Sequence, residues 1–564
     1  MQKLISVIAD KCTGCGACVR SCPAPEANAF RTLDDGRRIV EVNDDKCIVC
    51  GKCLHACPHD ARDFDDDTDK FFKDINKKRV VLIVSPAIRT AFPETWTEVL
   101  KWLKQEGVFA IYDMSLGGDI CSWANLRAIE QNKMKYAVSS HCPSIVNYVT
   151  TYKQELISDV SPVYGPAACM AVYIRTYLKV NYSIAVLNSC IATRTDLGES
   201  NLIEYNVTFK RLEEELIRRK VNFGKKNPDA PATYNFDEEE GTLGATVIRP
   251  SGLRDNLWAR EPEVNISSCA GDHAYDCVDE FASTPKHVHP VLLDCLSCGM
   301  GCAVGPGMDR DTNSFTIQDV LHQQELDARS RRKTGIMNGP DKQFKKFDDI
   351  FNVKSFMREV KKNGSGSVKI LAGDLNTAYL KMGMVDEKER KTNCGACGCR
   401  TCAEMAEKIY LGLNVPENCI KYAQSTSGDG SSSVTAKVGE MTDIAEKVSA
   451  YANHLLADIE NIYASLYNID DANRQSQSRS SVVKDILAKI VGFCSSCESI
   501  DSDNLPILVS TLEKLQVAID SLNVLIDDSA ANSTTIREAM KEVADATTAL
   551  NVMVSEMIEP AVHS

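Results

Sequence analysis

Between residues 80 and 360, short runs of β-branched and other apolar residues alternate with segments whose apolar positions recur at helical spacing. Short apolar runs are typical of buried strands, and segments such as Trp96–Lys104 and Lys210–Arg218 are typical of amphipathic helices. Strand and helix signals in alternation predict α/β layers. The predicted strands are Val80–Val84, Phe109–Tyr112, Tyr136–Ser139, Ser183–Leu187 and Val291–Leu293.

After residue 434 the apolar positions follow a seven-residue repeat. The 4-3 spacing returns twice more, from Leu508 to Ile526 and from Ile536 to Met557. Sustained heptads predict coiled-coil or long-bundle helices. The first seam is Met441, Val448, Leu455, Ile462 and Ile469, and the second is Ala445, Ala452, Ile459 and Leu466.

Polar stretches divide the chain. Residues 61–78 form a charged connector, residues 223–242 resemble an exposed loop, and Ser425–Ser433 is a Gly/Ser linker. The fold class predicted from these patterns and from the cysteine motifs below is multidomain, α+β and α/β, with a helical coiled-coil tail. The predicted domains are 1–76, 78–365 and 366–424, then a linker at 425–434 and the tail at 435–564.

The formal net charge of −14 disfavours nucleic acid and anionic membrane surfaces, because both require a basic footprint. No apolar run approaches the ~18 residues needed to span a bilayer. The apolar start, Met1–Lys11, is too short for a secretion signal. We therefore expect a cytoplasmic protein without a membrane span.

Eight of the 24 cysteines lie in two similar N-terminal blocks, each spaced C-x2-C-x2-C-x3-C-P. In this motif three thiolates hold one face of a 4Fe–4S cubane, and the fourth thiolate ligates the other cluster. Zinc knuckles are the alternative, but they seldom show this spacing twice. The block resembles a bacterial two-cluster ferredoxin, an electron carrier. The predicted ligand sets are Cys12, Cys15, Cys18 and Cys57, and Cys47, Cys50, Cys53 and Cys22.

Four further cysteines, Cys142, Cys190, Cys298 and Cys302, follow predicted strands of the α/β region. Loops after parallel strands converge at one edge of a sheet, where α/β proteins place their active sites. The glycines around Cys298 and Cys302 allow close backbone approach to a bulky group. The alternative is that these cysteines only pack in the core.

The motifs around these cysteines resemble the three signature loops of iron-only (di-iron) hydrogenases. They are Cys142-Pro143, Cys190-Ile191-Ala192 and Cys298-x3-Cys302-x2-Gly305-x-Gly307. The resemblance implies that the four cysteines hold a 4Fe–4S cluster. It also implies that Cys302 bridges this cluster to a di-iron centre carrying CO, cyanide and a dithiolate, which interconverts H2 with protons and electrons.

Ser85-Pro86-Ala87-Ile88-Arg89 resembles the segment that opens the family's catalytic domain, which implies a cofactor-binding role for Pro86 and Ala87. The family's lysine three residues after the second-loop cysteine, which bonds a cyanide, is Thr193 here. Arg194 follows it and keeps the charge one position later.

The family's thiol proton relay before the first loop is replaced by His141, a residue that can also carry protons. Cys169 lies in a family-like segment and is a candidate substitute for the lost thiol, or a buried helix cysteine. No glutamate occurs between Asp119 and Glu130, where the family's relay carboxylates are expected. These departures resemble the sensory-type branches of the family.

A third block, Cys394-x2-Cys397-x4-Cys402-x16-Cys419, resembles small 4Fe–4S domains of corrinoid and acetyl-CoA pathway proteins. A zinc site is the alternative. The assignment of sixteen cysteines leaves eight over, which are Cys121, Cys169, Cys269, Cys277, Cys295, Cys399, Cys494 and Cys497. In total the sequence predicts four 4Fe–4S clusters and one di-iron centre.

Three functions remain open at this point: an enzyme that turns over H2, a sensor of H2 or redox state, and an electron carrier without H2 turnover. The expected partners are H2 and protons, and a ferredoxin or other redox protein. The tail resembles either signalling helices that bind a partner or a bundle for self-association.

Overall fold

The computed structural model describes residues 4–131, 134–195, 202–223, 234–309, 313–331, 342–362, 370, 372–397, 399, 401–426 and 505–562, with single positions and short stretches between 459 and 488. Most of the predicted linker at 425–434 lies outside the described residues, as do Met441, Val448, Leu455, Ala445, Ala452, Cys494 and Cys497. The chain forms two compact units, Met1–Ser425 and Thr426–Ser564.

The N-terminal region is built on two antiparallel strand pairs. Strand β1 pairs with β4, placing Ile5 opposite Phe64, and β2 pairs with β3. The short helices α1 and α2 each begin after a glycine with a left-handed backbone, Gly16 and Gly51. The elements are β1 Ile5–Val7, α1 Ala17–Arg20, β2 Asn28–Thr32, β3 Arg38–Val42, α2 Lys52–His55, β4 Arg62–Phe64 and α3 Thr68–Asp74.

From residue 80 onward, strands alternate with helices, as the apolar pattern predicts. In chain order the elements are β5 Val80–Val84, α4 Ile88–Ala91, α5 Trp96–Gln105, β6 Ala110–Asp113, α6 Met114–Glu130, β7 Ala137–Val138, α7 Pro143–Tyr152, α8 Pro166–Val172, β8 Ser183–Asn188, β9 Tyr205–Thr208, α9 Phe209–Arg218, α10 Gly252–Trp258, β10 Ile266–Ala270, α11 His273–Ser283, β11 Leu292–Leu296, α12 Ser314–Arg331 and α13 Lys342–Ile350. Two 3-10 helices, Leu243–Ile248 and Gly301–Val304, complete the region around the site.

Two parallel sheets organise these elements. The larger has the strand order β6-β5-β8-β9, and the smaller has the order β10-β11-β7. All five residues of β5 are buried, which agrees with its unbroken apolar sequence because central parallel strands are covered on both faces. All five predicted strands are confirmed: Val80–Val84 has the predicted bounds, and the ends of the other four differ by at most three residues.

Helix α6 is buried along most of its length and passes close to the Leu243–Ile248 turn. A Cβ atom on Gly118 or Gly244 would overlap backbone atoms of the opposite segment. Only glycine permits such close backbone contact. The carboxylate of Asp119 fixes this junction by accepting hydrogen bonds from the backbone N–H groups of Thr242 and Gly244.

The last part of the first unit contains α14 Ala372–Lys381, α15 Cys402–Tyr410 and α16 Ile420–Thr426. Helices α14 and α15 pack together around Met382 and Met405.

In the second unit, α17 spans Leu505–Val562. Its contacts with residues 470–484 run antiparallel, because Asp470 pairs with Arg537 and Lys484 pairs with Asp520. Ile519 and Ile526 are buried one heptad apart, whereas Leu515 and Leu522 are half-exposed. The coiled-coil character of the tail stays a prediction. Among the described residues, no helix has the length and apolarity to cross a membrane.

Candidate metal centres

The four cysteines that follow predicted strands lie together in the structure. Cys142 caps the N-terminus of α7 after β7, Cys190 follows β8, and Cys298 and Cys302 follow β11. Burial raises the pKa of the Cys302 thiol well above its usual value, and negative charge on Cys142, Cys190 and Cys298 raises it further. Thiols that disfavour one another's ionisation in this way are stabilised as thiolates by a shared cation.

Backbone contacts join the second and third loops. The hydroxyl of Ser189 donates to the carbonyl oxygen of Cys302 at 2.5 Å, and the N–H of Gly307 donates to the carbonyl of Ser189 at 2.6 Å. A Cβ atom on Gly305 would overlap the backbone of Ser189. These loops approach so closely only because the third loop carries glycines.

Cys142 occupies the start of a ten-residue helix with Pro143 in the first turn. Burial raises the pKa of its thiol to about 11, while backbone N–H groups of Ser297, Ile145 and Ser144 act in the opposite direction. N–H groups at a helix terminus are the donors that a ligated thiolate requires.

The segment that opens the domain lies against the third loop. The Thr90 hydroxyl lies 2.8 Å from the carbonyl oxygen of Ala87 and 2.7 Å from that of Ala303. The side-chain amide of Gln324 donates to the carbonyl of Pro86 at 2.7 Å. Pro86 also lines a cavity of about 20 Å³. Pro86 and Ala87 are therefore next to the loop of Cys302, and their contact with a cofactor stays a prediction.

His141 is buried, with 8% of its surface exposed, and its Nδ1 atom has no hydrogen-bond partner among the residues that the structure describes. Burial lowers the pKa of its imidazole to about 4, so the ring is neutral at pH 7. A buried nitrogen without a partner is uncommon in folded proteins. The ring therefore has an unused donor or acceptor beside Cys142.

Arg194 forms an ion pair with Asp67 in the charged connector. Asp67 also accepts a hydrogen bond from the backbone N–H of Asn206. The guanidinium thus ties the second loop to the N-terminal region, and the cofactor-binding role expected of Arg194 from the charge it keeps stays a prediction.

Cys169 is fully buried in α8, and its thiol lies 3.2 Å from the carbonyl oxygen of Tyr164. Asp119 lies in the junction described above, where Gln343 donates to it at 3.0 Å and Arg260 lies 3.6 Å away. Its carboxylate is therefore engaged in holding α6. The proton-relay role of Cys169 stays a prediction.

The two N-terminal sets of cysteines assemble across the two motifs. Burial raises the pKa of the Cys18 thiol, and negative charge on Cys12 and Cys57 raises it further. Arg62 opposes both effects, because its guanidinium donates a hydrogen bond to the Cys18 sulfur at 2.9 Å. In the other set, burial raises the pKa of Cys53 well above its ordinary value, with contributions from Cys50, Cys22 and Cys47. In each set, therefore, the last cysteine of one motif lies with cysteines of the other. Cys15 is exposed, whereas Cys50 and Cys53 are buried.

The buried N-terminal set lies against the central loops. A Cβ atom on Gly51 would overlap Pro306 of the third loop and approach Ile191 of the second. Tyr275 lies between the two groups of thiols, with its hydroxyl 2.6 Å from Ser297 and its ring beneath the Lys52 ammonium at 4.9 Å.

The third block places Cys397, Cys402 and Cys419 in one apolar cluster. Burial raises the pKa of Cys419, and Cys397 and Cys394 raise it further. The leftover Cys399 is buried here, and its hydrogen bond to Cys397 holds the pKa of Cys397 below its ordinary value. Lys408 lies beside this cluster, and its charge also acts on Cys22 of the N-terminal region.

The donor sets fit iron–sulfur clusters. Each is composed of converging thiols, the ligands that Fe–S clusters take. Around the central set, Gly305 and Gly307 allow the loop of Cys302 to pack against Ser189, and the His141 Nδ1 atom, which has no partner in the described part of the chain, offers a polar contact.

Several residues near these centres were not found from the sequence. Arg62 reaches Cys18 from 44 positions away, and Tyr275 reaches the third loop from 22 positions away. Neither belongs to a recognisable motif. The spacing C-x3-H-x3-C at 269–277 was a usable signal, and the structure brings these three side chains together.

Comparison with known proteins identifies three regions. Residues 78–306 match the family model for the C-terminal domain of the iron-only hydrogenase large subunit, residues 11–61 match a 4Fe–4S dicluster domain, and residues 391–420 match a putative Fe–S cluster domain. No curated protein sequence matches the chain.

Solved structures that resemble the chain include the apo FeFe-hydrogenase from Chlamydomonas reinhardtii and a structure from a study of stepwise H-cluster assembly in FeFe-hydrogenase. Each is 13% identical, covers 53% of this chain and 100% of its own, and has a TM-score of 0.38. On the family models and the motifs, residues 78–306 belong to the iron-only hydrogenase large-subunit family, and a 4Fe–4S dicluster domain precedes them.

Proposed function

We propose that the chain is an iron–sulfur oxidoreductase that interconverts H2 with protons and electrons slowly, in the manner of a sensor. The observation that carries this proposal is the convergence of Cys142, Cys190, Cys298 and Cys302, with the second and third loops joined by a backbone hydrogen bond. If these cysteines only packed in the core, their four thiols would not need to lie close enough to raise one another's pKa.

These four cysteines would hold a 4Fe–4S cluster, with Cys302 shared with a di-iron centre that carries CO, cyanide and a dithiolate. That centre, when bound, supplies the interconversion of H2 with two protons and two electrons. The chain itself supplies the thiolates, the glycines that let the second and third loops pack together, and the backbone donors around Cys142.

Electrons reach this site through the dicluster domain. The exposed Cys15 puts the first set of thiols within reach of a redox partner such as a ferredoxin, and the buried second set abuts the second and third loops at Gly51. Tyr275 lies between Lys52 and Ser297 at this junction.

Protons reach the site poorly. Every transfer step needs a donor and an acceptor within hydrogen-bond reach. His141 is buried and its Nδ1 atom has no partner within the described ranges, and Asp119 already accepts hydrogen bonds from Gly244, Thr242 and Gln343. Loss of a positioned acid–base group typically costs ~10²–10⁴ in rate. The states of His141 and Asp119 also favour the alternative function, an electron-transfer signalling protein without H2 turnover.

Infrared spectra of the maturated chain separate the two functions. We expect bands from bound CO and cyanide in the parent and in a Cys121→Ser control, and loss of these bands in Cys302→Ser with the N-terminal EPR signals retained. Cys121 is a buried cysteine in α6, outside the predicted ligand sets. A parent without such bands favours the electron carrier.

H2 evolution with an artificial electron donor then tests the slow turnover. We expect low activity in the parent and faster evolution in His141→Cys, because a thiol restores an exchangeable proton at that position. A parent as fast as dedicated hydrogenases contradicts the sensor, and an unchanged variant contradicts the missing relay.

A further inference from the structure

Cys269, His273 and Cys277 form a cluster of potential metal ligands outside the cysteine sets described above. Cys269 lies in β10, and His273 and Cys277 lie one helical turn apart on α11. Their ligand atoms all lie within 4.8 Å of one another. The spacing i, i+4 places two ligands on one face of a helix, and the strand supplies the third.

We propose that these three residues bind a thiophilic divalent cation of the Zn²⁺ class. Two thiolates and an imidazole are the donors that zinc prefers, and sites with three protein ligands keep a fourth position for water or substrate. His273 is exposed, so this fourth position faces solvent. The neighbouring Asp272 forms an ion pair with Lys52 and leaves the fourth position to water.

The two sulfur atoms are joined by a disulfide in this structure, which excludes a metal from the same atoms. The Cα atoms are 6.8 Å apart, at the upper end of the separations that a disulfide spans. Disulfides are rare in reducing compartments, where Fe–S thiolates also persist. A dithiol reductant supplies two electrons and two protons to give two thiols, and cation binding then releases both protons.

The cluster adjoins both the dicluster domain and the third loop. The backbone N–H of Gly271 donates to the carbonyl of Leu296 at 3.0 Å, and Gly271 packs against Gly299, next to Cys298. A cation bound by Cys269 and His273 would fix the turn between β10 and α11. The site is therefore placed to stiffen the support of the third loop.

Zinc binding to the full chain tests the proposal. The iron-loaded protein is treated anaerobically with a dithiol, freed of it, and equilibrated with Zn²⁺ against a competing chelator. We expect one zinc per chain, with two sulfur neighbours at ~2.3 Å and nitrogen or oxygen neighbours at ~2.0–2.1 Å by X-ray absorption at the zinc edge.

Three variants isolate the site. Cys277→Ser and His273→Ala should each weaken zinc binding at least about tenfold. His287→Ala, which removes another exposed histidine, should leave it unchanged. Iron content and Fe–S EPR signals serve as the measure of folding, so the result is independent of H2 turnover.

Three results would overturn the proposal. One is zinc retained by a Cys269→Ser/Cys277→Ser double variant, and another is an all-sulfur zinc shell, which points to zinc in a cluster site. The third is a 269–277 disulfide that survives the dithiol, detected by alkylation and mass spectrometry, in a chain that binds no zinc.

Discussion

Asp294 is a buried carboxyl group in β11, four residues before Cys298. Among the described residues its Oδ1 atom has no hydrogen-bond partner, while Oδ2 accepts a 3.3 Å bond from the backbone N–H of Arg254, and the backbone of Leu253 also bonds the carboxyl group. Burial raises the pKa of this carboxyl to about 7. An unfolded aspartate titrates near pH 3.9. The folded state therefore favours the protonated form.

This difference predicts a pH-dependent stability. The buried, protonated carboxyl of Asp294 contributes to the free energy of unfolding. This contribution is fully present below the pKa of the same carboxyl in the unfolded chain and is lost as pH rises through about 7. Relative to the parent, Asp294→Asn should gain stability between pH 5 and 8, approaching about 4 kcal/mol at the upper end. Anaerobic thermal melts at several pH values measure the difference. Asp34→Asn, at an exposed position, is the control, and a pH-independent difference between parent and Asp294→Asn would contradict the raised pKa.

Gly305 allows the second and third loops to pack together at the central site. A Cβ atom on Gly305 would overlap the carbonyl of Ser189, so Gly305→Ala must push the third loop off the second. We expect the variant to lose the iron of the central site, while the N-terminal EPR signals persist. Overpacking of this kind typically costs 1–3 kcal/mol.

Iron analysis and infrared spectra of Gly305→Ala measure this effect. Gly373→Ala is the matched control, because a Cβ atom there meets no atom within 4 Å. If Gly305→Ala keeps its full iron content and its infrared bands, the contact of the two loops is not needed for the site.

The strands and the grouping of thiols followed from the sequence because both depend on local spacing. An apolar run such as Val80–Val84 is typical of a buried strand in a parallel sheet. The spacing C-x2-C-x2-C-x3-C keeps the four thiols of a motif within a few residues of one another along the chain. The environment of the thiols depends on contacts distant in sequence. Arg194 turns to Asp67 and Arg62 to Cys18 because of how separate elements pack, and no local pattern encodes these contacts.

At the scale of the first compact unit, the groups of thiols form a series. The central set adjoins the buried N-terminal set through Gly51 and Tyr275, and the N-terminal set adjoins the third block. Arg38 and Glu417 lie 3.7 Å apart across this second junction. The third block is thus a second place at which electrons could enter or leave the series.

Lys408 is the charged group at this junction. It is 4% exposed, and its ammonium pairs with Glu404 at 2.9 Å. Burial lowers its pKa, but Cys399 and Glu404 oppose this and hold the pKa above its ordinary value, so the side chain is charged at pH 7. Its charge acts on Cys399 and also on Cys22.

A positive charge near a cluster stabilises the reduced form, which carries one more negative charge. Lys408→Gln should therefore lower two reduction potentials together, those of the third-block cluster and of the cluster held by Cys22, by on the order of tens of millivolts. The potential of the exposed cluster of Cys15 should change less. EPR-monitored redox titration measures these shifts, and Lys391→Gln, an exposed lysine of the same block, should leave them unchanged. A shift confined to one cluster would show that Lys408 does not couple the two domains, and the series of thiols would then end at the dicluster domain.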